Sequence, residues 1–123
     1  MEKKMSKSVE DVIEIVAGVG EAVRPVWPDQ ASGQRFEEVE HRVFGGESRR
    51  YYGGVWEGEP GELNLPSYPY DEICIMISGR VALRDTVGKR KEFVKGQGFF
   101  VPRGFSGVWE TLEPSSKYFI ALE

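Results

Sequence analysis

The sequence lacks the features of a secreted or membrane protein. Its one cysteine, Cys74, cannot form a disulfide within the chain. The N-terminal segment is interrupted by Glu10, Asp11 and Glu14, so it has no uninterrupted apolar core of a signal peptide. No apolar run approaches the length of a membrane span. These absences predict a cytoplasmic protein with no membrane partner.

Cys74 also lacks a neighbour that would activate its thiol. Ile73 and Ile75 flank it, and no adjacent His, Lys or Arg is present to lower the thiol pKa. We interpret Cys74 as a small buried hydrophobe, with a reactive thiol as the alternative.

Positive charge is neither in excess nor concentrated in this chain. The net charge is -4 at pH 7, and basic residues occur mostly in small groups such as Arg49-Arg50 and Lys89-Arg90-Lys91. Nucleic-acid binding needs a concentrated basic surface, because it depends on phosphate contacts. We therefore expect no nucleic-acid partner.

The residues that are abundant are those of a folded, turn-rich β protein. The chain has 123 residues, enough for one domain, and contains 15 glycines and 7 prolines. From Gln34 onward, short strand-like runs alternate with turn residues, and no helical period appears. Strands are predicted near residues 35–44, 50–57, 71–77, 80–86, 90–94, 98–101, 107–112 and 116–122. This spacing is typical of an all-β sandwich or barrel.

Residues 1–33 are predicted to form an extension that precedes a β domain of residues 34–123. The segment Ser8–Asp11 resembles a capping box, and apolar residues follow at helical spacing, which predicts a short helix over residues 9–17. A strand is the alternative, because the β-branched run Val12–Val16 also alternates. A loop rich in turn residues then leads into the β domain.

Two segments resemble the motifs of the cupin family. In Tyr70–Gly79, Glu72 precedes the turn glycine by seven positions, as in the first cupin motif. Gly96, Pro102 and Gly104 have the spacing of the second motif. The resemblance implies a single cupin β-barrel, a double-stranded β-helix of the jelly-roll type, over residues 34–123.

The C-terminal part of the sequence is similar to one branch of this family. Gly107–Tyr118, together with Gly53–Trp56, resembles small single-domain cupins related to the ureidoglycine aminohydrolase cupin domain. The resemblance covers about residues 50–122. Residues 71–77 are apolar on both faces, which suits a strand covered by a second subunit and predicts a homodimer.

The metal ligands of the family are missing from this sequence. In metal-binding cupins the two motifs carry three histidines, whose places fall here on Leu65–Tyr68 and on Gly107. Glu72 alone remains, and a single carboxylate is a poor site for zinc, manganese or iron. We therefore expect no metal cofactor, and we expect Gly107 to leave space for a ligand or for waters.

Strand alternation predicts which residues point into the barrel. If Glu72 points inward, so do Cys74 and Met76, and Trp109 shares the inward face with Gly107. An isolated buried carboxylate is costly, so Glu72 needs a partner.

Lys117 is the candidate partner of Glu72. The alternative is that Lys117 lies in solvent while Glu72 bonds Tyr68 or Tyr70. His41 alternates with valines on its strand, which favours a packed or half-exposed residue over a functional one.

These features predict a small-molecule-binding barrel that works without a metal and takes a small polar metabolite. One alternative is a hydrolase resembling ureidoglycine aminohydrolase, with Glu72 as a catalytic general acid or base on a nitrogen-containing metabolite. Another is an interaction scaffold, which large side chains filling the barrel would favour. The candidate ligand-binding residues are Glu72, Trp109, Lys117, Tyr68, Tyr70 and Trp56, although both tryptophans also suit the core.

Overall fold

A computed structural model describes residues 6–27, 36–46 and 49–123. Within them the chain forms a 3-10 turn, Val9–Asp11, and the strands β1 (Glu21–Val23), β2 (Glu38–Gly45), β3 (Tyr51–Gly58), β4 (Gly61–Leu65), β5 (Asp71–Ser78), β6 (Arg80–Asp85), β7 (Arg90–Val94), β8 (Gly98–Val101), β9 (Gly107–Thr111) and β10 (Ser115–Leu122). No helix in this described part is long and apolar enough to cross a membrane.

The strands form two antiparallel sheets that face each other. The larger sheet has six strands in the order β1-β2-β3-β10-β5-β8, and the smaller has four in the order β4-β9-β6-β7. Buried side chains from both sheets make one hydrophobic core between them. The all-β prediction is therefore confirmed.

The predicted strands match the observed ones closely because their glycine turns are explicit in the sequence. β7 and β8 begin and end at the predicted residues, and the glycine of the turn between β5 and β6, Gly79, has a φ of 83°. Position 35, where the first predicted strand began, and residues 28–33 of the predicted loop lie outside the described residues. Two strands were missed: β1, which pairs with β2, and the short β4, which pairs with β9.

The predicted helix over residues 9–17 is wrong. Ser8 and Asp11 do form the predicted capping box, but it starts only a 3-10 turn, and the backbone is extended again at Val12. Val9 and Val12 are 78% and 75% exposed, so a helix here would have no apolar face buried against the core to stabilise it. The β-branched side chains that follow add to the cost of helix formation.

The two faces of β5 have different surroundings. Glu72, Cys74 and Met76 are buried inside the barrel, as strand alternation predicted. Ile73 and Ile75 point outward and are 39% and 47% exposed. The larger sheet therefore has an apolar outer face that the single chain leaves partly uncovered.

Candidate functional site

The two sheets enclose a small cavity in the middle of the barrel. Its volume is about 20 Å³, which holds about one water molecule. The charged side chains that line it are Glu38, Glu40, Glu72 and Lys117. All four are buried, so the site is an ionic cluster inside an aromatic and aliphatic wall.

Glu72 and Lys117 form the predicted ion pair. Lys117 Nζ lies 3.1 Å from Glu72 Oε2 and 3.4 Å from Cys74 Sγ. Both side chains of the pair are almost fully buried. Burial disfavours the ammonium, but the thiol and carboxylate beside it raise the pKa of Lys117 above its ordinary value.

The regular register of β10 sets the direction in which Lys117 points: residues 117–122 pair with residues 76–71 without interruption, so Lys117 shares the inward face of Met76. A bulge occurs only on the other side of Lys117. Between β10 and β5, Ser116 is paired with Ser78 and Lys117 with Met76, so Ile77 is the extra residue. The Lys117 side chain runs along β5, past Cys74, to reach Glu72, which explains the contact with the thiol.

The tyrosine contact of the alternative for Glu72 also forms, but its other half is wrong, because Lys117 is buried and does not lie in solvent. Tyr68 donates its hydroxyl to Glu72 Oε1, while Lys117 binds the other oxygen. Burial raises the pKa of the Tyr68 hydroxyl, and the Glu72 charge raises it further, so Tyr68 stays a donor. Tyr70 also lines the cavity, where its ring packs edge-on against Tyr68 with centroids 5.5 Å apart.

The predicted tryptophans pack around the Lys117 ammonium. Lys117 Nζ lies 5.0 Å from the ring centroid of Trp56 and 5.0 Å from that of Trp109. Such cation–π contacts stabilise a desolvated cation. Trp109 also donates its indole N–H to Thr111 Oγ1 at 3.0 Å. Both rings therefore belong to the core and also support the buried charge.

Two further carboxylates were missed from the sequence. Glu38 accepts indole N–H bonds from Trp56 at 2.6 Å and from Trp27 at 2.5 Å. Glu40 accepts two bonds from the Arg42 guanidinium, at 2.7 Å and 3.0 Å. Burial raises the pKa of Glu38 against the opposing effect of its indole donors, and it raises that of Glu40 against the opposing effect of Arg42.

A signal for these carboxylates was present in the sequence. Glu38, Glu40 and Arg42 alternate along β2 on the face opposite to Val39 and His41. When charged residues occupy one face of a strand, that face ordinarily points to solvent. Here the charged row faces the barrel because Glu38 accepts from two indole N–H groups and Glu40 is paired with Arg42. Residue type and spacing do not reveal the indole donors.

The space expected at Gly107 is absent, and that prediction is wrong. A Cβ built on Gly107 would lie 2.1 Å from the carbonyl oxygen of Arg84 and 2.8 Å from the ring of Phe105. Phe105 packs against the core cluster. The place of the missing histidine is thus taken by another strand's backbone and by an aromatic ring.

His41 stands apart from the cluster. Its Nδ1 lies 3.8 Å from Glu57 Oε1, too far for a hydrogen bond, and its side chain is half-buried. Within residues 6–27, 36–46 and 49–123, no group of three or more His, Cys, Asp or Glu side chains is placed to hold a metal ion. The donor set that a transition metal needs is therefore not assembled here.

Known structures share this architecture. The Clostridium difficile EutQ protein is 16% identical, with a TM-score of 0.63 over 77% of this chain and 80% of that one. An ethanolamine utilization protein Q from Salmonella typhimurium LT2 is 17% identical, with a TM-score of 0.61 over 69% and 68%. At these identities the likeness shows the fold alone.

Sequence similarity identifies the family. A DUF861 family protein from Thermotoga maritima is 30% identical, with a TM-score of 0.51 over 55% of this chain and 75% of that one. None of the curated proteins matches the sequence. The model of the EutQ-like cupin domain matches residues 45–119, more than half of the chain. The chain therefore belongs to the family of EutQ-like cupin domains.

Proposed function

We propose that this cupin barrel binds a small polar metabolite that carries an amine or amide nitrogen, without a transition metal. The observation that supports this most is the buried ionic cluster, in which three carboxylates, Glu38, Glu40 and Glu72, face Lys117. Arg42 neutralises only one of them. The cluster therefore favours a ligand that brings N–H donors or a positive charge.

Trp27 occupies the position that such a ligand would take. Its indole N–H binds Glu38 Oε2, and its ring lies 6.1 Å from that of Tyr68. Because the cavity holds only about one water, a metabolite enters when the Trp27 side chain leaves. A ligand N–H then replaces the indole N–H at Glu38.

Ligand-induced thermal stabilisation tests this function with matched small probes. Ethanolamine and glycinamide supply nitrogen donors, while acetate supplies only an acceptor; ethanolamine is chosen because a similar structure is an ethanolamine utilization protein. The nitrogen probes are expected to raise Tm, and more so in Trp27→Ala, because a ligand that binds only the native state stabilises it. Glu38→Gln should weaken the effect.

Arg80→Met is the control: it changes a partly exposed ion pair that does not line the cavity, and it should respond to the probes like the wild type. If no nitrogen probe shifts Tm in the wild type or in Trp27→Ala, the interaction scaffold becomes the better account. The observation that favours the interaction scaffold is that side chains fill the barrel and leave room for only about one water.

A hydrolase of the ureidoglycine aminohydrolase type is the second candidate. Its supporting observation is the position of Glu72, which lines the cavity and is held between the Lys117 ammonium and the Tyr68 hydroxyl, as a positioned general acid or base would be. Glu72 would be the acid or base that acts on the substrate in this account. Release of ammonia from ureidoglycine, lost in Glu72→Gln, is the test.

The purified protein is expected to contain no stoichiometric transition metal. The reason is the donor set: the places of the family histidines hold Leu65–Tyr68 and Gly107, and Glu72 already binds Lys117 and Tyr68. Elemental analysis after dialysis measures this. A metal retained in the wild type and lost in Glu72→Ala would contradict the prediction.

We also propose a cytoplasmic homodimer formed through the outer face of the larger sheet. Ile73, Ile75 and Tyr118 are exposed on that face and line one groove with Ile13 and Ile15. An apolar surface of this kind is typical of a protein interface.

Light scattering at micromolar concentration is expected to give a dimer mass for the wild type and a monomer mass for Ile75→Lys. The lysine would bury a charge at the interface. Val87→Lys places the same charge on an equally apolar residue that is 78% exposed in a turn, and it should remain dimeric. A monomeric wild type would mean that the sheet face is not an interface between copies.

A further inference from the structure

A second concavity lies outside the barrel cavity, between the edges of the two sheets. We call it the seam groove and define it by Lys89, Lys91, Phe93, Phe99, Phe100 and Phe105. β7 ends the smaller sheet and β8 ends the larger one, so the groove lies where the sheets separate. Its volume is about 590 Å³, within the range of small-molecule sites.

The floor of the seam groove is aromatic. Phe93 of β7 stacks on Phe99 of β8, with ring centroids 4.2 Å apart and planes inclined by 12°. Phe100, paired with Ile73, projects from the opposite face of β8 to Phe99, borders the groove at the edge of the sheet and is 55% exposed. An aromatic surface left open to water in this way favours an apolar partner with a flat or elongated body.

The rim of the seam groove is basic. Lys89, Lys91 and Phe93 follow each other at every second position, so they share the face that lines the groove. Across the sheet, Leu83 is paired with Lys91. Asp85 also lines this end of the groove, where its Oδ1 accepts hydrogen bonds from the backbone N–H groups of Val87 and Lys89, and its charge offsets part of the lysine charge.

Arg90 does not contribute to this rim charge, because it is held by Glu92 and Glu110. The rim therefore carries a net positive charge above an apolar floor, with two lysine ammonium groups against the one carboxylate of Asp85. It complements a ligand with a negative head and an apolar body.

We propose that the seam groove binds a small amphipathic anion, namely an aromatic or aliphatic carboxylate whose apolar body lies on Phe93, Phe99 and Phe100. Its carboxylate reaches Lys89 and Lys91. A peptide adding a strand to either edge is a poorer fit, because β7 and β8 have only five and four residues and offer few backbone pairs.

The site is separate from the ionic cluster of the barrel. Phe99 stands between them, with its ring centroid 6.0 Å from that of Trp109. The barrel cluster has an excess of carboxylates and repels anions, whereas the rim of the seam groove attracts them. Variants of Glu38 or Lys117 are therefore expected to leave this second binding unchanged.

Titration calorimetry with 2-naphthoate and its neutral analogue 2-naphthamide tests the proposal. Naphthoate is expected to bind more tightly than naphthamide, and added salt should weaken only naphthoate. The double variant Lys89→Met/Lys91→Met should weaken naphthoate roughly threefold to tenfold, as expected for two exposed charge contacts. Phe100→Ser should weaken both probes. All three side chains are exposed, so these variants are expected to fold.

Lys95→Met is the matched control, because Lys95 is an exposed lysine in the turn between β7 and β8 that does not line the groove. It should bind naphthoate like the wild type. The proposal is overturned if naphthoate does not bind, if both probes bind equally in every variant, or if Lys95→Met weakens naphthoate as much as the double variant.

Discussion

Replacing Lys117 with methionine is expected to destabilise the fold by about 3 kcal/mol or more, because it leaves buried carboxylates without their ammonium partner. Glu72 would lose a partner at 3.1 Å. Lys117 also lowers the pKa values of Glu38 and Glu40 through its charge. The loss therefore spreads over three carboxylates.

Glu72→Gln is expected to cost less than Lys117→Met. The glutamine keeps an oxygen for the Tyr68 hydroxyl, and Lys117 keeps the π faces of Trp56 and Trp109 as well as the charge of Glu38. The double variant should cost less than the sum of the two single variants, since both single variants remove the same Glu72–Lys117 contact, which the double variant loses only once.

Urea denaturation of the wild type, both single variants and the double variant measures this coupling. Arg80→Met is the control: its ion pair with Glu92 is short, at 2.5 Å, but both side chains are at least a third exposed. Removing it should cost less than about 1 kcal/mol. Additive effects of the Glu72 and Lys117 variants would show that this pair contributes no coupling energy.

Local sequence patterns were sufficient for eight of the ten strands in the described part of the chain and for one register of the ion pair. Glycine and proline turns separate the strands, and the period of two along β5 placed Glu72, Cys74 and Met76 inside. The face on which Lys117 lies depends on the register of the last strand, which a single bulge can reverse. A bulge does occur at Ile77, but it lies beyond Lys117, whose inward direction follows from its unbroken register with Met76. The sequence thus predicted the Glu72–Lys117 pair for one of the two possible registers of β10.

The rest of the site depends on contacts that local patterns do not contain. Glu38 is buried because Trp27 and Trp56, 11 and 18 positions away, donate to its two oxygens. Nothing near Glu38 in the sequence indicates these donors. The missed strand β4 has the same cause: its five residues are defined by pairing with β9, more than forty positions later. Long-range pairing of this kind overrides local propensity.

Gly107 is expected to be intolerant of any side chain. In Gly107→Ala, the new Cβ would meet the Arg84 carbonyl oxygen at 2.1 Å and the Phe105 ring at 2.8 Å. The ring could move, but the carbonyl belongs to β6, which is hydrogen-bonded to β9. We expect a loss of about 1 to 3 kcal/mol, the usual cost of overpacking a folded core.

Gly98→Ala is the matched control for this prediction. Gly98 also lies in a strand, but its added Cβ would find its nearest neighbour, the Cys74 carbonyl oxygen, at 3.6 Å, an ordinary contact. Gly98→Ala is therefore expected to be neutral or slightly stabilising, because alanine restricts the unfolded chain more than glycine does.

Gly107→His extends the test to the metal question. It restores one family histidine in sequence, but it should be at least as unstable as Gly107→Ala and should bind no zinc, because Leu65–Tyr68 still supply no imidazole. Urea denaturation with and without zinc measures both effects. A Gly107→Ala variant as stable as the wild type would show that β6 and β9 can separate here. A zinc-dependent rise in the stability of Gly107→His would show that the barrel still has room for the metal.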